Sequence, residues 1–275
     1  MKTIAVVNMK GGVAKTTLTV NIADCLCKRH EARVLIVDID PQFNATQCLI
    51  SGETYAKMIS EGASTIVDIF DYIPRPSASA TSGISTIQPK KLSEIKPTKV
   101  KDGLFILPGN LQLYRLEMTP GEGREYRLKR YLELVSDSYD YAIIDTPPTP
   151  SVWMSTALIA SQYYLVPCKP EPLSGTGIDL LRAVVDNKKD NYGLTLKCAG
   201  LVLTMTEPNT RAYKETTSMI EKNQNWKDLR FTYELPKRTE IAYLQGSQGT
   251  ILDSQQVELK IAIVRITGEL IKRTT

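Results

Sequence analysis

The chain has few residues of the kinds that build transition-metal sites. Among 275 residues there is one histidine, His30, and there are five cysteines without a Cys-x-x-Cys pair. Structural zinc sites and iron–sulfur clusters need closely spaced ligands of these types, so the sequence argues against both. We expect the cysteines to be reduced and to serve as small buried residues. They are Cys25, Cys27, Cys48, Cys168 and Cys198.

The sequence also lacks long hydrophobic runs. No apolar stretch approaches the roughly 20 residues that a membrane-spanning helix needs. The N-terminal apolar segment is interrupted at Asn8, which is not typical of a signal peptide. Hydrophobic residues make up 42% of the chain and charged residues 23%, as in ordinary globular proteins. These features predict a cytoplasmic globular protein with no membrane partner.

Residues 10–17, Lys-Gly-Gly-Val-Ala-Lys-Thr-Thr, are the most informative segment. An apolar run at residues 4–7 precedes them and reads as a buried parallel strand. Residues 18–29 follow, with apolar residues at helical spacing. Strand, glycine turn and helix is the context of a phosphate-binding loop, whose backbone N–H groups and helix N-terminus face a polyphosphate. Lys15 is predicted to reach the β- and γ-phosphates, and Thr16 to bind Mg²⁺.

Three aspartates follow predicted buried strands. Residues 33–37 lead to Asp38 and Asp40, and residues 140–144 lead to Asp145. Ligands of open α/β sheets bind at the carboxyl ends of the strands, so these side chains should converge on the phosphates. One such aspartate could simply cap a loop. Three of them beside a phosphate loop favour a hydrated Mg²⁺ and a positioned water molecule.

These motifs resemble those of a known family. Residues 10–17, residues 37–42 with Asn44-Ala-Thr46, and residues 143–148 are similar to the ParA family of deviant Walker ATPases, which partition plasmids and chromosomes and to which MinD is related. The resemblance implies an α/β fold with a single doubly wound, mostly parallel sheet and helices on both faces. One P-loop ATPase domain should span residues 1–275, with a surface insertion rich in Pro, Ser and Lys at about 72–101.

The resemblance also implies a role for each matching residue. The catalytic residues would be Lys10, Lys15 and Asp40. Lys10 matches the signature lysine that crosses a dimer interface to the partner's nucleotide, and Asp40 matches the residue that orients the attacking water. Mg²⁺ would be held by Thr16, Asp38 and Asp145, and Thr17 would bond the α-phosphate. ATP would lie against the entire loop, which comprises Lys10, Gly11, Gly12, Val13, Ala14, Lys15, Thr16 and Thr17.

Two positions depart from the family pattern. Ala14 stands immediately before Lys15, where the family usually has glycine, and its methyl group could crowd the phosphates or restrict φ at a tight turn. Weaker nucleotide binding or slow turnover would follow. Phe43 stands where a small residue is usual, and it would pack either at a dimer interface or in the core.

The partners are likewise implied by the resemblance. ParA relatives form ATP-dependent homodimers that bind DNA without sequence preference and act with a centromere-binding, ParB-like adaptor. This places the protein in the cytoplasm, on the nucleoid. The formal charge of +4 permits DNA binding without requiring it. The candidate DNA contacts are Arg211, Lys214, Lys237 and Arg238, although solvated surface charges are the simpler interpretation of each, and Glu240 stands where relatives often repeat arginine.

The remaining pattern predicts further alternation of strands and helices. Strands are expected at residues 104–107, 163–167, 196–204 and 230–233, with a short one at 84–88. Helices are expected at residues 65–70, 122–136, 151–161, 177–188, 210–222 and 254–272. The last helix has a broad apolar face, which is typical of a helix packed on a sheet rather than of a membrane anchor.

Two alternatives to a partition ATPase stay open. Ala14 could suppress hydrolysis, which would leave a non-catalytic or very slow nucleotide-dependent dimerisation switch. A spatial regulator similar to MinD is the other alternative. The expected activity is slow, partner-stimulated hydrolysis of ATP with Mg²⁺ as cofactor.

Overall fold

The computed structural model describes residues 1–72, 75–79, 83–119, 121–172 and 174–275. The strands are β1 (Lys2–Val6), β2 (Val34–Asp38), β3 (Arg75–Ser79), β4 (Gly83–Ile87), β5 (Thr98–Lys101), β6 (Leu104–Leu107), β7 (Tyr141–Asp145), β8 (Tyr163–Cys168), β9 (Lys197–Thr206) and β10 (Leu235–Pro236). The α-helices are α1 (Lys15–His30), α2 (Asn44–Gln47), α3 (Gly52–Ser60), α4 (Ile66–Phe70), α5 (Gln112–Glu117), α6 (Arg127–Leu134), α7 (Val152–Ile159), α8 (Ser174–Tyr192), α9 (Arg211–Lys222), α10 (Thr239–Gly246) and α11 (Val257–Arg273). Short 3₁₀ turns occur at Leu92–Glu94, Arg124–Tyr126, Ser136–Ser138 and Ile251–Asp253.

Eight of these strands form one sheet in the order β10-β9-β8-β1-β7-β2-β6-β5. Neighbouring strands are parallel except for β5, which runs antiparallel to β6. The two halves of the sheet extend in opposite directions from β1 and β7. This is the predicted doubly wound, mostly parallel sheet.

Both faces of the sheet are covered by helices. Side chains alternate along β1, with Ile4 and Val6 in one apolar cluster and Ala5 in the other. The first face packs against α1 and α11, and the second packs against α6, α7 and α8. Strands buried on both faces explain why the sequence shows continuous apolar runs rather than alternation.

The final helix, α11, is part of the core, as predicted. It buries Leu259, Ile263, Ile266 and Leu270, whereas Val257 and Ile261 are 66% and 49% exposed. No helix in the described part of the chain combines the length and the hydropathy that crossing a membrane requires.

The predicted strand at residues 230–233 is wrong. Only one bridge, between Leu201 and Arg230, links this segment to β9, and the strand that follows is the two-residue β10. Side chains of α11 also bind backbone groups of this segment and of the residue before it. The Arg273 guanidinium donates to the carbonyls of Leu229 and Arg230, and the Glu269 carboxylate accepts from the N–H of Thr232.

The predicted helix at residues 122–136 is shorter than expected. A 3₁₀ turn at Arg124–Tyr126 precedes α6, and a second one at Ser136–Ser138 follows it. The guanidinium of Arg124 is buried and donates to the carbonyl oxygens of Leu116 and Thr119. These bonds connect the first 3₁₀ turn to the end of α5.

The predicted insertion at about 72–101 lies partly outside the described residues, which omit positions 73, 74 and 80–82. Its described part contains β3 and β4, which pair antiparallel in a separate two-stranded sheet. The expected strand at 84–88 corresponds to β4. The end of the segment was not expected to join the main sheet, but β5 does so as its edge strand.

Candidate active site

The phosphate loop connects β1 to α1 with two residues in the left-handed backbone region. These are Gly12, with φ of 68°, and Ala14, with φ of 64°. Ala14 is the N-cap of α1 and has no side chain that could accept a hydrogen bond from the helix. An L-residue pays roughly 1–2 kcal/mol in this region, and glycine does not. The departure from the family pattern therefore falls at a position whose backbone favours glycine.

Lys15 is the first residue of α1, and its side chain folds over the loop. Its Nζ donates to the carbonyl oxygen of Lys10 over 3.0 Å, and only 7% of the residue is exposed. Burial lowers the pKa of Lys15, while the carboxylates of Asp145 and Asp40 act in the opposite direction. The ammonium thus lies within electrostatic reach of the carboxylates of Asp145 and Asp40.

Asp145 ends β7 and binds two hydroxyls of α1. Thr16 Oγ1 donates to Asp145 Oδ2 over 2.7 Å, and Thr19 Oγ1 donates to Asp145 Oδ1 over 3.2 Å. Burial raises the pKa of Asp145 to about 7, although the bond from Thr16 opposes this shift.

Asp38 ends the neighbouring strand β2 and is also fully buried. Its Oδ2 accepts hydrogen bonds from the backbone N–H and the hydroxyl of Thr46, over 2.8 and 2.7 Å. Burial raises the pKa of Asp38 well above its usual range, and the negative charge of Asp145 adds to the effect.

These groups fit a hydrated Mg²⁺. Two buried carboxylates and the Thr16 hydroxyl converge beside the loop. Burial raises the pKa of both carboxyl groups, and a bound cation would stabilise their ionised forms. No group of three or more His, Cys, Asp or Glu within the described residues forms a metal cage by itself. Mg²⁺ at phosphate sites is typically held by one or two protein oxygens together with phosphates and waters, which agrees with this arrangement.

Asp40 lies two residues beyond β2 and lines a cavity next to the phosphate loop. The backbone N–H of Gln42 donates to Asp40 Oδ1 over 2.9 Å and fixes the carboxylate. Burial raises the pKa of Asp40, and the Gln42 N–H and the Lys15 ammonium oppose the shift. A fixed carboxylate at this position can accept a hydrogen bond from a water molecule that approaches the phosphates.

Lys10 points elsewhere. Its ammonium lies 3.9 Å from a carboxylate oxygen of Glu171, in the loop after β8, and its side chain is 36% exposed. The cavity next to the phosphate loop is lined by loop residues from Gly11 onward. Lys10, the first residue of the loop, is therefore not directed into the cavity of its own chain.

The cavity next to the loop has a volume of about 460 Å³, which is within the range of ligand sites. One wall consists of the loop from Gly11 to Thr17 with Asp40 and Asn44. The opposite wall comes from β10 and α10, and it was not predicted from the sequence. It contains Leu235, Pro236, Lys237, Arg238, Ile241, Ala242 and Gln245. The Thr17 hydroxyl donates to Gln245 Oε1 over 3.3 Å, which joins the two walls.

The four candidate DNA contacts form two separate pairs in the fold. Arg211 and Lys214 lie in the first turns of α9, whereas Lys237 and Arg238 line the cavity. Three of them are paired with carboxylates: Arg211 with Glu215, Lys237 with Glu207, and Arg238 with Glu258. DNA phosphates would have to compete with these ion pairs.

Comparisons with known proteins agree with this geometry. A family model described as an AAA domain matches residues 1–198. The sporulation initiation inhibitor protein Soj of Bacillus subtilis is 34% identical over 223 residues, which are 80% of this chain and 79% of Soj. A ParA family protein of Chlamydia muridarum is 30% identical over 226 residues, which are 81% of this chain and 79% of the relative.

A solved structure has the same fold along the full chain. It is a putative plasmid partition protein of Borrelia burgdorferi bound to AMPPNP, with a TM-score of 0.73 and 22% identity, and the match covers 99% of this chain and 98% of that protein. The motifs of the phosphate loop, the sheet order and the sequence similarity to Soj and ParA agree. The chain belongs to the ParA family of P-loop ATPases, within the ParA/MinD superfamily.

Proposed function

We propose that the protein is a partition ATPase that binds ATP with Mg²⁺, dimerises around two nucleotides and hydrolyses ATP slowly. The observation that carries this proposal is the position of Lys10. The loop and Asp40 line one cavity, and the buried Asp145 accepts a hydrogen bond from Thr16 of that loop. Lys10 instead lies beside Glu171, outside the cavity. The nucleotide-binding groups of the site are thus in place, but its signature lysine is not. The site would be complete only when a second subunit supplies that lysine.

The roles of the residues follow from this arrangement. Backbone N–H groups of the loop and Lys15 would bind the phosphates, with Thr17 at the α-phosphate. Thr16, Asp38 and Asp145 would hold Mg²⁺, which neutralises phosphate charge when bound. Asp40 would orient the attacking water. Lys10 of the partner subunit would stabilise the charge that develops as the phosphoryl group leaves.

The cellular role is part of the same proposal. ATP-bound dimers would bind DNA without sequence preference on the nucleoid, using Arg211 and Lys214 and, at the cavity rim, Lys237 and Arg238. A ParB-like adaptor on the cargo would stimulate hydrolysis and release the dimer. One domain over residues 1–275, in the cytoplasm, would be sufficient for these steps.

Mixing two inactive variants tests the role of Lys10 in trans. Lys10→Ala and Asp40→Ala should each have little ATPase activity. In a mixed dimer, the site on the Lys10→Ala subunit keeps its Asp40 and receives Lys10 from the Asp40→Ala subunit. With random pairing at a 1:1 ratio, about half of the dimers are mixed and each has one working site, so activity should return to about a quarter of the wild-type value. If the mixture stays inactive although the mixed dimers form, Lys10 does not act in trans.

A nucleotide-dependent switch without turnover is the second candidate. The left-handed backbone of Ala14 favours this second candidate. Strain next to Lys15 would affect the placement of the lysine and thereby slow hydrolysis. Steady-state ATPase measurements with duplex DNA and the cognate adaptor separate the two candidates. Turnover that increases with both additions supports the partition ATPase, and ATP-dependent dimerisation without turnover supports the switch.

A further inference from the structure

Gly109, in the loop after β6, fits closely against the residues that follow β2. A Cβ atom at this position would lie 2.5 Å from the Cβ of Phe43 and 2.9 Å from the Cγ of Asp38. These distances are too short for any side chain, so only glycine permits this contact between the two loops. The backbone of Gly109 is thus held directly against the proposed Mg²⁺ ligand Asp38.

The hydrogen bonds at this contact have a defined direction. The N–H of Gly109 donates to Thr46 Oγ1 over 2.8 Å, so the hydroxyl proton of Thr46 is free to donate to Asp38 Oδ2 over 2.7 Å. The backbone N–H of Thr46 donates to the same oxygen. One oxygen of Asp38 is therefore held by two donors from a single residue, which fixes the plane of the carboxylate. The other oxygen, Oδ1, accepts from the backbone N–H of Asp40 over 3.4 Å and keeps a lone pair for a further partner.

Tyr55 of α3 joins both loops from the outside. Its hydroxyl donates to the carbonyl oxygen of Gly109 over 2.9 Å. Its ring stacks on Phe43, with ring centroids 5.4 Å apart and planes at 14°. Phe43 itself is held in the left-handed region, with φ of 43°, three residues beyond Asp40. The aromatic residue that departs from the family pattern thus has a partner in this chain.

We propose that Thr46 and Tyr55 are positioning residues that fix the Asp38 carboxylate in the orientation that binds Mg²⁺. Thr46 acts directly on Asp38, and Tyr55 acts one step further out by holding Gly109 and Phe43. This inference rests on the proposed role of Asp38 as a Mg²⁺ ligand. It goes beyond that role because it assigns a function to two residues that are not proposed ligands of the phosphates or of Mg²⁺, one of which, Tyr55, lies on a helix without buried residues.

The test compares ADP binding with Mg²⁺ and with EDTA, by calorimetry on the full chain. Thr46→Val keeps the size and the backbone N–H of residue 46 but removes its hydroxyl. Substitutions of residues that orient metal ligands typically weaken metal binding 10–100-fold, so the gain in ADP affinity on adding Mg²⁺ should shrink about tenfold. Affinity in EDTA should stay within about twofold. Thr46→Ser, the matched control, keeps the hydroxyl and should behave as the wild type.

Tyr55→Phe provides a second variant that keeps the ring stack and removes one hydrogen bond. We expect a smaller loss, about threefold, again only with Mg²⁺. Tyr55 acts through Gly109, whose N–H binds the Thr46 hydroxyl, so removing that hydroxyl also removes one route by which Tyr55 acts. The losses in the double variant should therefore be less than multiplicative. Equal losses with and without Mg²⁺, or none in either variant, would overturn the inference.

Asp38→Asn separates the inference from the proposed function. If this variant retains the full effect of Mg²⁺, the assignment of Asp38 as a ligand fails. If Asp38→Asn loses the effect while Thr46→Val and Tyr55→Phe retain it, the ligand assignment stands and only the positioning role is wrong.

Discussion

Asp38 and Asp145 are register partners on the adjacent parallel strands β2 and β7, and both are fully buried. Two neighbouring carboxylates at the carboxyl ends of adjacent strands repel each other when both are ionised. Burial further raises the free energy of the ionised forms. Without Mg²⁺, electrostatic repulsion therefore destabilises the folded protein at the site where its nucleotide is proposed to bind.

The first prediction is an unusual pH dependence of stability. The pKa of Asp145 is raised to about 7, so the folded state binds this proton more tightly than the unfolded state. Its contribution is fully present below about pH 4, the usual pKa of an aspartate, and is lost as pH rises through about 7. The loss amounts to at most about 4 kcal/mol, at 1.36 kcal/mol per pH unit. Urea unfolding in EDTA at pH 5 and 8.5 measures the part lost in this range, about 2.7 kcal/mol.

Asp145→Asn is the control for this prediction. The amide does not ionise, so the variant lacks this pH dependence. The unfolding free energy of the wild type, minus that of the variant, should therefore be larger at pH 5 than at pH 8.5. A difference that is constant from pH 5 to 8.5 would show that Asp145 is ionised throughout.

The second prediction concerns the strained loop. Ala14→Gly should raise the unfolding free energy by about 0.5–1 kcal/mol, because glycine relieves the left-handed backbone but gives the unfolded chain more freedom. It should also strengthen ATP binding. Glu31, which caps the other end of α1 with φ of 53°, offers a matched control. Glu31→Gly should give a similar gain in stability without a change in ATP affinity.

The third prediction concerns Asp40. Asp40→Ala should bind ATP and dimerise as the wild type does, since Asp40 is proposed to contact water rather than the phosphates. Its turnover should fall about 10²–10⁴-fold, the usual contribution of such a group. Single-turnover ATPase assays and analytical ultracentrifugation with ATP measure the two properties. Hydrolysis at the wild-type rate contradicts the role in positioning water.

The fourth prediction concerns the contact between Lys10 and Glu171. An exposed ion pair of this kind contributes about 0.2–1 kcal/mol, and it must open before Lys10 reaches a second subunit. Two such pairs open in a symmetric dimer, so Glu171→Gln should strengthen the ATP-dependent dimer by up to about 2 kcal/mol, or about 30-fold. The same substitution in a Lys10→Ala background should have no effect on dimerisation. An equal effect in both backgrounds would mean that Glu171 acts independently of Lys10.

The fifth prediction concerns DNA. Lys237 and Arg238 line the cavity, so the clean test uses Arg211 and Lys214 on α9. Replacing both with alanine should weaken DNA binding by the ATP-bound dimer and reduce the log–log salt slope by about 0.9 for each lost phosphate contact. Lys57→Ala, on the exposed helix α3, is the control. If the double variant binds DNA as the wild type does, the DNA interface does not include Arg211 and Lys214.

The parts of the site that the sequence predicted depend on local signals. The strands before Asp38 and Asp145 are continuous apolar runs, and the carboxyl ends of parallel strands must meet at one edge, so convergence could be inferred without coordinates. The opposite wall of the cavity could not be predicted in this way. It comes from β10 and α10, and these short elements have weak periodicity and are positioned by tertiary contacts such as that of Thr17 with Gln245.

The errors in the fold have a related cause. Residues 230–233 have the alternation of a strand, but Glu269 and Arg273 of a distant helix compete for their backbone groups. Propensity and periodicity do not contain this information, because it depends on side chains some 40 residues away in sequence.

The edges of the sheet have a consequence for self-association. On one side β5 presents Lys99 and Lys101 around a register shift, and on the other β10 has two residues, one of which is Pro236 with no N–H. Lysines, irregular pairing and proline are the features that prevent strands of separate molecules from joining. Even when many copies accumulate at one place, we expect fibres built by continuation of the sheet to be disfavoured, so that assembly stays reversible.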